Sequence, residues 1–270
     1  VTVHFAPTVF DGMCGTKMYL LDLIDSECWK GEGFEKLKGA LCQIIAPYKE
    51  LKPFNVYLSV DGEEGFPGNL DVYVTYKLED KDLLIQYEAS TDKATILNLT
   101  NHAYFNLKGE GEGKIHDHTL QVLSSEYIPY DENTMPVGDV MPVEGTPMDM
   151  REAVLIADRI DDAFFASGLG IDNGWALPGW HDNANKLQLA AVLEGGGRRM
   201  ETWTTFPCMQ VYSGNYVEKH VGKSGKMYDV QCAICLEAEM FPDAIHYPSF
   251  PNTILRPGET WKHETIYRFG

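Results

Sequence analysis

Asn98–Leu107, which reads NLTNHAYFNL, is the stretch on which the interpretation of this chain depends. Its first residues are typical of an extended segment, and the glycine-rich run Gly109–Gly113 follows one residue after its end. Within it, His102 lies between two asparagines and beside the aromatic residues Tyr104 and Phe105. An imidazole can accept or donate a proton near pH 7, so the stretch predicts either a hydrogen-bonded core histidine or an acid/base residue.

The charge of the chain limits its partners. Its 270 residues carry a formal net charge of −18 at pH 7. Nucleic-acid backbones and anionic membranes need clustered Lys and Arg, so we expect neither as a partner. No apolar run is long enough to span a bilayer. There is no internal repeat or linker, which predicts a single domain over residues 1–270.

Cysteine and histidine spacings argue against disulfides and metals. The six cysteines follow no disulfide-scaffold pattern, which predicts reduced thiols and a cytoplasmic location. Cys232 and Cys235 form a C-x-x-C, but on a strand this spacing puts the two side chains on opposite faces. His116 and His118 can share a strand face, yet a third ligand is missing from the pattern. We therefore expect no metal and no cofactor.

Strand patterns extend from residue 53 to the end of the sequence. Leu70–Leu78 alternates between two faces, as a half-buried strand does. Leu187–Glu194 and Met200–Thr205 flank Gly195–Arg198, which predicts a hairpin. Before residue 53, short apolar runs between residues 17 and 48 permit helix or strand. The pattern as a whole predicts an all-β chain.

The stretch around His102 closely resembles the signature of the aldose 1-epimerase (galactose mutarotase) family. Gly170–Leu177, Pro207–Tyr216 and Cys235–Ile245 resemble further family segments in the same order, so residues 53–270 are epimerase-like and residues 1–52 are not. The resemblance implies a large antiparallel β-sandwich, the galactose mutarotase-like supersandwich, with few short helices. One of these helices is expected at Ala153–Ile160.

The resemblance also implies roles for individual residues. His102 would be the general acid that protonates the ring oxygen of a hexose, and Glu237 would be the general base. A glutamate that ends a buried strand is unfavourable unless it is paired or catalytic, and Glu239 is the competing carboxylate. The expected substrate-binding residues are Asp172, Gln210, Asn101 and Tyr104. Trp175, Tyr104 or Phe105 would stack on the pyranose.

This set implies that the chain interconverts the α and β anomers of a free hexose such as galactose or glucose, as a monomer or homodimer. The family's Asn-Arg contact and His-Gly-Gly motif are absent, and Asn173 and Ile171 replace its usual histidine and aromatic residue. A second reading is therefore a sugar-binding homologue without turnover. A third is a glycosidase or lyase that uses Glu237 and Asp172 as paired carboxylates. A hexose-6-phosphate substrate is disfavoured, since the matching segments offer no arginine cluster.

Overall fold

The structure, a computed structural model, describes residues 4–10, 13–19, 54–182, 185–222 and 225–270. Most of residues 17–48, for which the sequence permits helix or strand, lies outside the described ranges. That residues 1–270 form one domain therefore stays a prediction. Within the described ranges, no helix reaches the length and apolarity that a bilayer crossing requires.

Strands dominate the described residues. They are β1 His4–Phe10, β2 Met13–Tyr19, β3 Phe54–Ser59, β4 Leu70–Glu79, β5 Asp82–Thr91, β6 Thr95–Ile96, β7 Leu99–Asn101, β8 Tyr104–Phe105, β9 Thr119–Val122, β10 Glu126–Ile128, β11 Met141–Pro142, β12 Val154–Leu155, β13 Asp172–Ala176, β14 Gln188–Gly195, β15 Arg198–Thr204, β16 Cys208–Tyr212, β17 His220–Val221, β18 Met227–Tyr228, β19 Ile234–Glu239, β20 Ile254–Leu255 and β21 Trp261–Phe269. Short 3-10 helices occur at Glu63–Gly65, Ile156–Asp158, Ala163–Gly168, Trp180–Asp182 and Ala244–His246.

Two large sheets organise the fold. One has the strand order β12-β9-β14-β15-β21-β5-β4-β3, and the other has the order β11-β10-β13-β16-β19-β8. Every described pairing in them is antiparallel; the parallel pair β2–β7 belongs to a separate small sheet. The predicted all-β architecture of antiparallel sheets with short helices is confirmed.

The core lies between the two large sheets. In β5, Ile85, Tyr87 and Ala89 are buried, while the residues between them are exposed, as the two-residue period of a strand requires. From the facing sheet, the carbonyl of Leu236 accepts a hydrogen bond from the Tyr267 hydroxyl at 2.9 Å. This hydrogen bond joins β21 of one sheet to β19 of the other.

The predicted hairpin at Gly195–Arg198 is confirmed, with strand ends within two residues of the expected ones. Gly196 and Gly197 have φ angles of 57° and 73°, which β-branched or bulky residues adopt only under strain. Gly195 is constrained in another way. A Cβ atom there would lie 2.3 Å from the buried ring of His118. The glycine run therefore meets both a turn requirement and a packing requirement.

The predicted helix at Ala153–Ile160 is wrong. Val154 and Leu155 form strand β12, in which Val154 pairs with Leu120 of β9. Only Ile156–Asp158 is helical, as a single 3-10 turn with Ile156 buried. The helix was implied by the family resemblance; in this chain the pairing with β9 takes Val154 and Leu155 into the sheet, and a short segment contributes little helical stability of its own.

His263 of β21 provides a test of the packing on the eight-stranded sheet. It is buried, and its ring stacks on Phe206 with centroids 4.2 Å apart. Burial lowers the pKa of His263 to about 4. An unfolded chain has an ordinary histidine pKa of about 6.5, so between these values the unfolded state binds a proton that the folded state does not.

The free energy of unfolding is therefore expected to fall as the pH drops from 6.5 to 4, by up to about 3 kcal/mol from this residue. His263→Phe removes the titrating group and keeps a ring against Phe206. Urea unfolding followed by tryptophan fluorescence across this range should give a flatter pH dependence for the variant. Parallel curves for the two proteins would show that His263 titrates normally in the folded state.

Candidate active site

Strand β19 presents polar side chains on the face that does not pack against the eight-stranded sheet. Leu236 and Ala238 belong to the core, so Glu237, which lies between them, points the opposite way. The register places Gln210 of β16 directly opposite Glu237, and Gly174 of β13 opposite Gln210. Partners opposite each other in antiparallel strands lie on the same face. Glu237 and Gln210 therefore share one face of the six-stranded sheet.

Glu237, Gln210 and Gly174 form a first row across the strands, and a second row crosses the same strands two residues away. Asp172 is opposite Tyr212, Tyr212 is opposite Cys235, and Cys235 is opposite Tyr104 of β8. His102 lies between β7 and β8, and its ring contacts the two tyrosines of this row, Tyr104 and Tyr212. The imidazole stacks on Tyr104 with centroids 5.0 Å apart and an interplanar angle of 19°, and meets Tyr212 edge-on at 5.9 Å.

His102 and Glu237 are in direct contact. Nε2 of His102 lies 3.4 Å from Oε1 of Glu237, and the residues are 5% and 1% exposed. A carboxylate this deeply buried must be compensated, and a neighbouring imidazole that can carry a proton provides that compensation. The arrangement joins two proton-transfer groups in a site from which bulk water is largely excluded.

Asp172 and Gln210 are joined by a hydrogen-bond chain. Nε2 of Gln210 donates to Oδ1 of Asp172 at 2.7 Å, and the Tyr130 hydroxyl donates to Oε1 of Gln210 at 2.9 Å. Burial raises the pKa of Tyr130 well above its ordinary value, and the neighbouring Cys208 and Glu239 add to the rise. The phenol is therefore protonated, and a donor, throughout the neutral range.

A family model described as aldose 1-epimerase matches residues 49–268. The chain belongs to the aldose 1-epimerase family. Among curated relatives, galactose mutarotase from Pongo abelii is 40% identical over 214 residues, which are 78% of this chain and 61% of that protein. Aldose 1-epimerase from Escherichia coli (strain K12) is 36% identical over 243 residues, which are 88% of this chain and 68% of that protein. The chain thus spans 61% to 68% of the length of these two relatives.

Solved structures in the aldose 1-epimerase family share the fold. A GalM/aldose epimerase homologue from C. elegans superimposes with a TM-score of 0.69 at 25% identity, over 78% of this chain and 63% of that one. Galactose 1-epimerase from Lactobacillus acidophilus NCFM superimposes with a TM-score of 0.67 at 28% identity, over 79% of this chain and 61% of that one.

Four of the six catalytic and substrate-binding residues that the epimerase resemblance implied lie in the two rows of the sheet face, and His102 contacts two of them, Glu237 and Tyr104. The four are Glu237, Gln210, Asp172 and Tyr104. Asn101 is placed differently. It is buried, and its Nδ2 donates to the Tyr76 hydroxyl at 3.5 Å, a side chain of the other large sheet. A substrate contact by Asn101 stays a prediction, for which the described contacts offer no support.

Of the three aromatic residues offered as alternatives for stacking on the sugar, two lie in the core. Trp175 is completely buried, and its Nε1 donates to the carbonyl of Met148 at 3.0 Å. Phe105 is buried against Tyr267 of the core, with ring centroids 4.9 Å apart. Strand alternation turns both rings away from the face that carries Glu237. Tyr104, half-buried and stacked on His102, is the remaining candidate.

Asn173, which replaces the family's usual histidine, lies in register with Val211 and Leu236. Both of these residues are in the core, so the register assigns Asn173 to the opposite face from Glu237. Its Oδ1 accepts a hydrogen bond from the backbone N–H of Asp172 at 3.3 Å. The substitution therefore removes no titratable group from the two polar rows.

Within the described ranges, one group of three side chains has the geometry to hold a metal ion. The ligand atoms of His102, Cys235 and Glu237 lie within 4.8 Å of one another, and all three residues are buried. Nitrogen, sulfur and carboxylate oxygen are donors that zinc accepts. The expectation of a metal-free site stays a prediction. His116 and His118 have other partners: His116 contacts Gln231, and His118 accepts a hydrogen bond from the N–H of Leu107.

Sequence reasoning missed three residues of this face. Tyr212 and Cys235 were within reach, because each lies two positions from a residue already identified on the same strand, Gln210 or Glu237. Tyr130 gave no such signal. It follows β10 in a segment that reads as a turn, and it reaches Gln210 only through the tertiary fold.

Proposed function

We propose that the chain is an aldose 1-epimerase that interconverts the α and β anomers of a free hexose such as galactose or glucose. The observation that carries the proposal is the buried contact between His102 Nε2 and Glu237 Oε1, at 3.4 Å, beside a row of hydrogen-bonding side chains. The anomeric oxygen and the ring oxygen of a sugar are bonded to the same carbon. An acid and a base that serve them must therefore lie close together, as these two groups do.

In this mechanism, Glu237 removes the proton from the anomeric hydroxyl while His102 protonates the ring oxygen. The ring opens to an aldehyde, the C1–C2 bond rotates, and closure on the other carbonyl face inverts the anomer. Two aligned proton transfers suffice, since each contributes about 10²–10⁴-fold. Asp172 and Gln210 orient the sugar hydroxyls, and Tyr104 supplies an aromatic surface for the ring.

The working protonation states are an ionised Glu237 and a protonated His102. The contact distance supports this assignment, because opposite charges at 3.4 Å in a site shielded from water stabilise each other. The same groups perform the reverse proton transfers on ring closure, so a turnover returns both to their starting state. No net proton is consumed.

The second candidate function is sugar binding without turnover. The absence of the family's Asn-Arg contact and His-Gly-Gly motif supports it, since these groups would otherwise help to hold the substrate. A glycosidase with Glu237 and Asp172 as its pair is less well supported. These residues lie on β19 and β13, two strands apart with β16 between them, or about 10 Å by strand spacing. Gln210 also donates a hydrogen bond to Asp172.

Polarimetry of freshly dissolved α-D-galactose and α-D-glucose tests the proposal. An epimerase accelerates the approach to the equilibrium rotation in proportion to its concentration. Binding of the sugar in calorimetry without acceleration would favour the second candidate. Release of reducing sugar from an alkyl galactoside would favour the glycosidase.

We further propose a cytoplasmic protein whose partner is the small hexose, with no nucleic acid or membrane bound, as a monomer or homodimer. The net charge of −18 supports the absence of polyanionic partners. Cys208 and Cys232 are buried free thiols, which supports a reducing compartment.

A further inference from the structure

Tyr130 lies outside the strands of the six-stranded sheet but reaches the face that carries the two polar rows. It lies two residues after β10 and forms an isolated bridge with Pro136. Its hydroxyl nevertheless donates to Oε1 of Gln210 at 2.9 Å, in the middle of the face that carries Glu237. Around the phenol the charged neighbours include Glu239, Asp172 and Glu237, so it lies among the carboxylates of the site.

The hydrogen bond of Tyr130 completes the anchoring of the Gln210 amide. A glutamine amide has one acceptor oxygen and two N–H donors. Here the oxygen accepts from Tyr130, and the nitrogen donates to Oδ1 of Asp172 at 2.7 Å. With both ends held, the amide cannot flip, and the carboxylate of Asp172 keeps one orientation. Without the phenol, only the Asp172 end of the amide is anchored.

Gly174 provides the space for this arrangement. It lies opposite Gln210 in the register, beneath the point where the phenol meets the amide. A Cβ atom at Gly174 would lie 2.9 Å from the Tyr130 hydroxyl oxygen and 3.2 Å from Oε1 of Gln210. The glycine and the tyrosine therefore form a matched pair, because a larger side chain at 174 would displace the hydroxyl.

We propose that Tyr130 is a positioning residue for the sugar: by bridging over Gly174 to Gln210, its hydroxyl holds Asp172 and Gln210 in the orientation that binds the sugar hydroxyls. The inference rests on the proposed function and deepens it. It assigns to this chain a three-residue unit of Tyr130, Gln210 and Asp172 that acts on substrate binding, separate from the proton transfers of His102 and Glu237.

Tyr130→Phe tests the proposal, because it removes only the hydroxyl. The KM for galactose is expected to rise roughly five- to tenfold, the value of one partly buried hydrogen bond, while kcat changes less than twofold. A merely structural role would lower the melting temperature and leave KM unchanged. Tyr87→Phe is the matched control, since Tyr87 is a buried tyrosine of the core on the other large sheet. Its KM should equal that of the wild type.

A double-variant cycle then tests the bridge itself. Gly174→Ala alone should raise KM by a similar factor, because the methyl group collides with the hydroxyl of Tyr130. In the Tyr130→Phe background the closest contact, at 2.9 Å, is gone and only those with Gln210 Oε1 at 3.2 Å and Cys208 Sγ at 3.3 Å remain, so Gly174→Ala should raise KM by a clearly smaller factor than it does alone. Equal effects of Gly174→Ala in both backgrounds would overturn the proposal, as would a Tyr130→Phe variant with wild-type KM.

Failure of the proposed function is recognised separately, by a wild-type protein that does not accelerate mutarotation. The dissociation constant for galactose, measured by calorimetry, would then replace KM in the same comparison. Weaker binding by Tyr130→Phe but not by Tyr87→Phe would support the positioning role. Equal binding by all three proteins would overturn it.

Discussion

Replacement of Glu237 by glutamine is expected to lower kcat/KM for mutarotation about a thousandfold, within the 10²–10⁴ range of a lost general base. Glutamine has nearly the same shape and retains a hydrogen-bonding oxygen, so the substitution removes the proton acceptor and little else. The substitution leaves Asp172 and Gln210, the proposed sugar contacts, unchanged, and the loss should therefore appear in kcat. Polarimetry with galactose at saturating and limiting concentrations separates the two constants.

Glu239→Gln is the matched control for this prediction. Glu239 lies two residues further along β19, shares the face of Glu237 and is half-buried. Its substitution should change kcat/KM less than tenfold. A larger loss from Glu239→Gln than from Glu237→Gln would show that the base had been assigned to the wrong carboxylate.

Thermal melting distinguishes loss of catalysis from loss of folding. Glu237 is 1% exposed, so neutralising it removes its desolvation penalty, and a neutral imidazole at His102 then leaves no uncompensated charge in the buried pair. Glu237→Gln should therefore melt no more than a few degrees below the wild type. An inactive variant that is also unfolded at the assay temperature would be uninformative about the base, and Glu237→Asp, which keeps the charge, would then be the variant to measure.

The strands were predictable because strand alternation is a local property, whereas the sandwich was implied by the family resemblance. Residues 70–78 alternate between two faces in the sequence itself, and Gly195–Arg198 indicates the turn of the hairpin between residues 187 and 205. The error at Ala153–Ile160 has the opposite origin. Its structure is decided by pairing with β9, more than thirty residues earlier, and no local pattern reports that contact.

The residues of the site also fall into those that the sequence identifies and those that only the tertiary fold places. The resemblance identified Glu237 and Gln210, but only the register shows that they lie opposite each other. Trp175 was misassigned because its aromatic character was considered without strand alternation, which puts it on the opposite face from Asp172, three residues earlier on the same strand. Tyr130 could not have been found, since its hydrogen bond to Gln210 joins residues 80 positions apart.

Replacement of His102 by glutamine is the second change expected to have a large effect. Glutamine can donate a hydrogen bond, but it cannot transfer a proton at neutral pH, so kcat/KM should fall by about 10²–10⁴-fold. His116→Gln is the control. His116 is half-buried, contacts Gln231 and lies outside the two polar rows, so its substitution should leave the rate within twofold of the wild type.

The pH profile makes this second prediction specific to the acid. In the wild type, kcat/KM should fall at low pH, where Glu237 becomes protonated, and at high pH, where His102 loses its proton. In His102→Gln the alkaline arm should disappear while the acid arm remains, because only the base still titrates. Polarimetry between pH 4.5 and 9.5, with the spontaneous rate subtracted, measures both arms. A variant that kept the alkaline arm would show that the proton donated to the ring oxygen comes from a group other than His102.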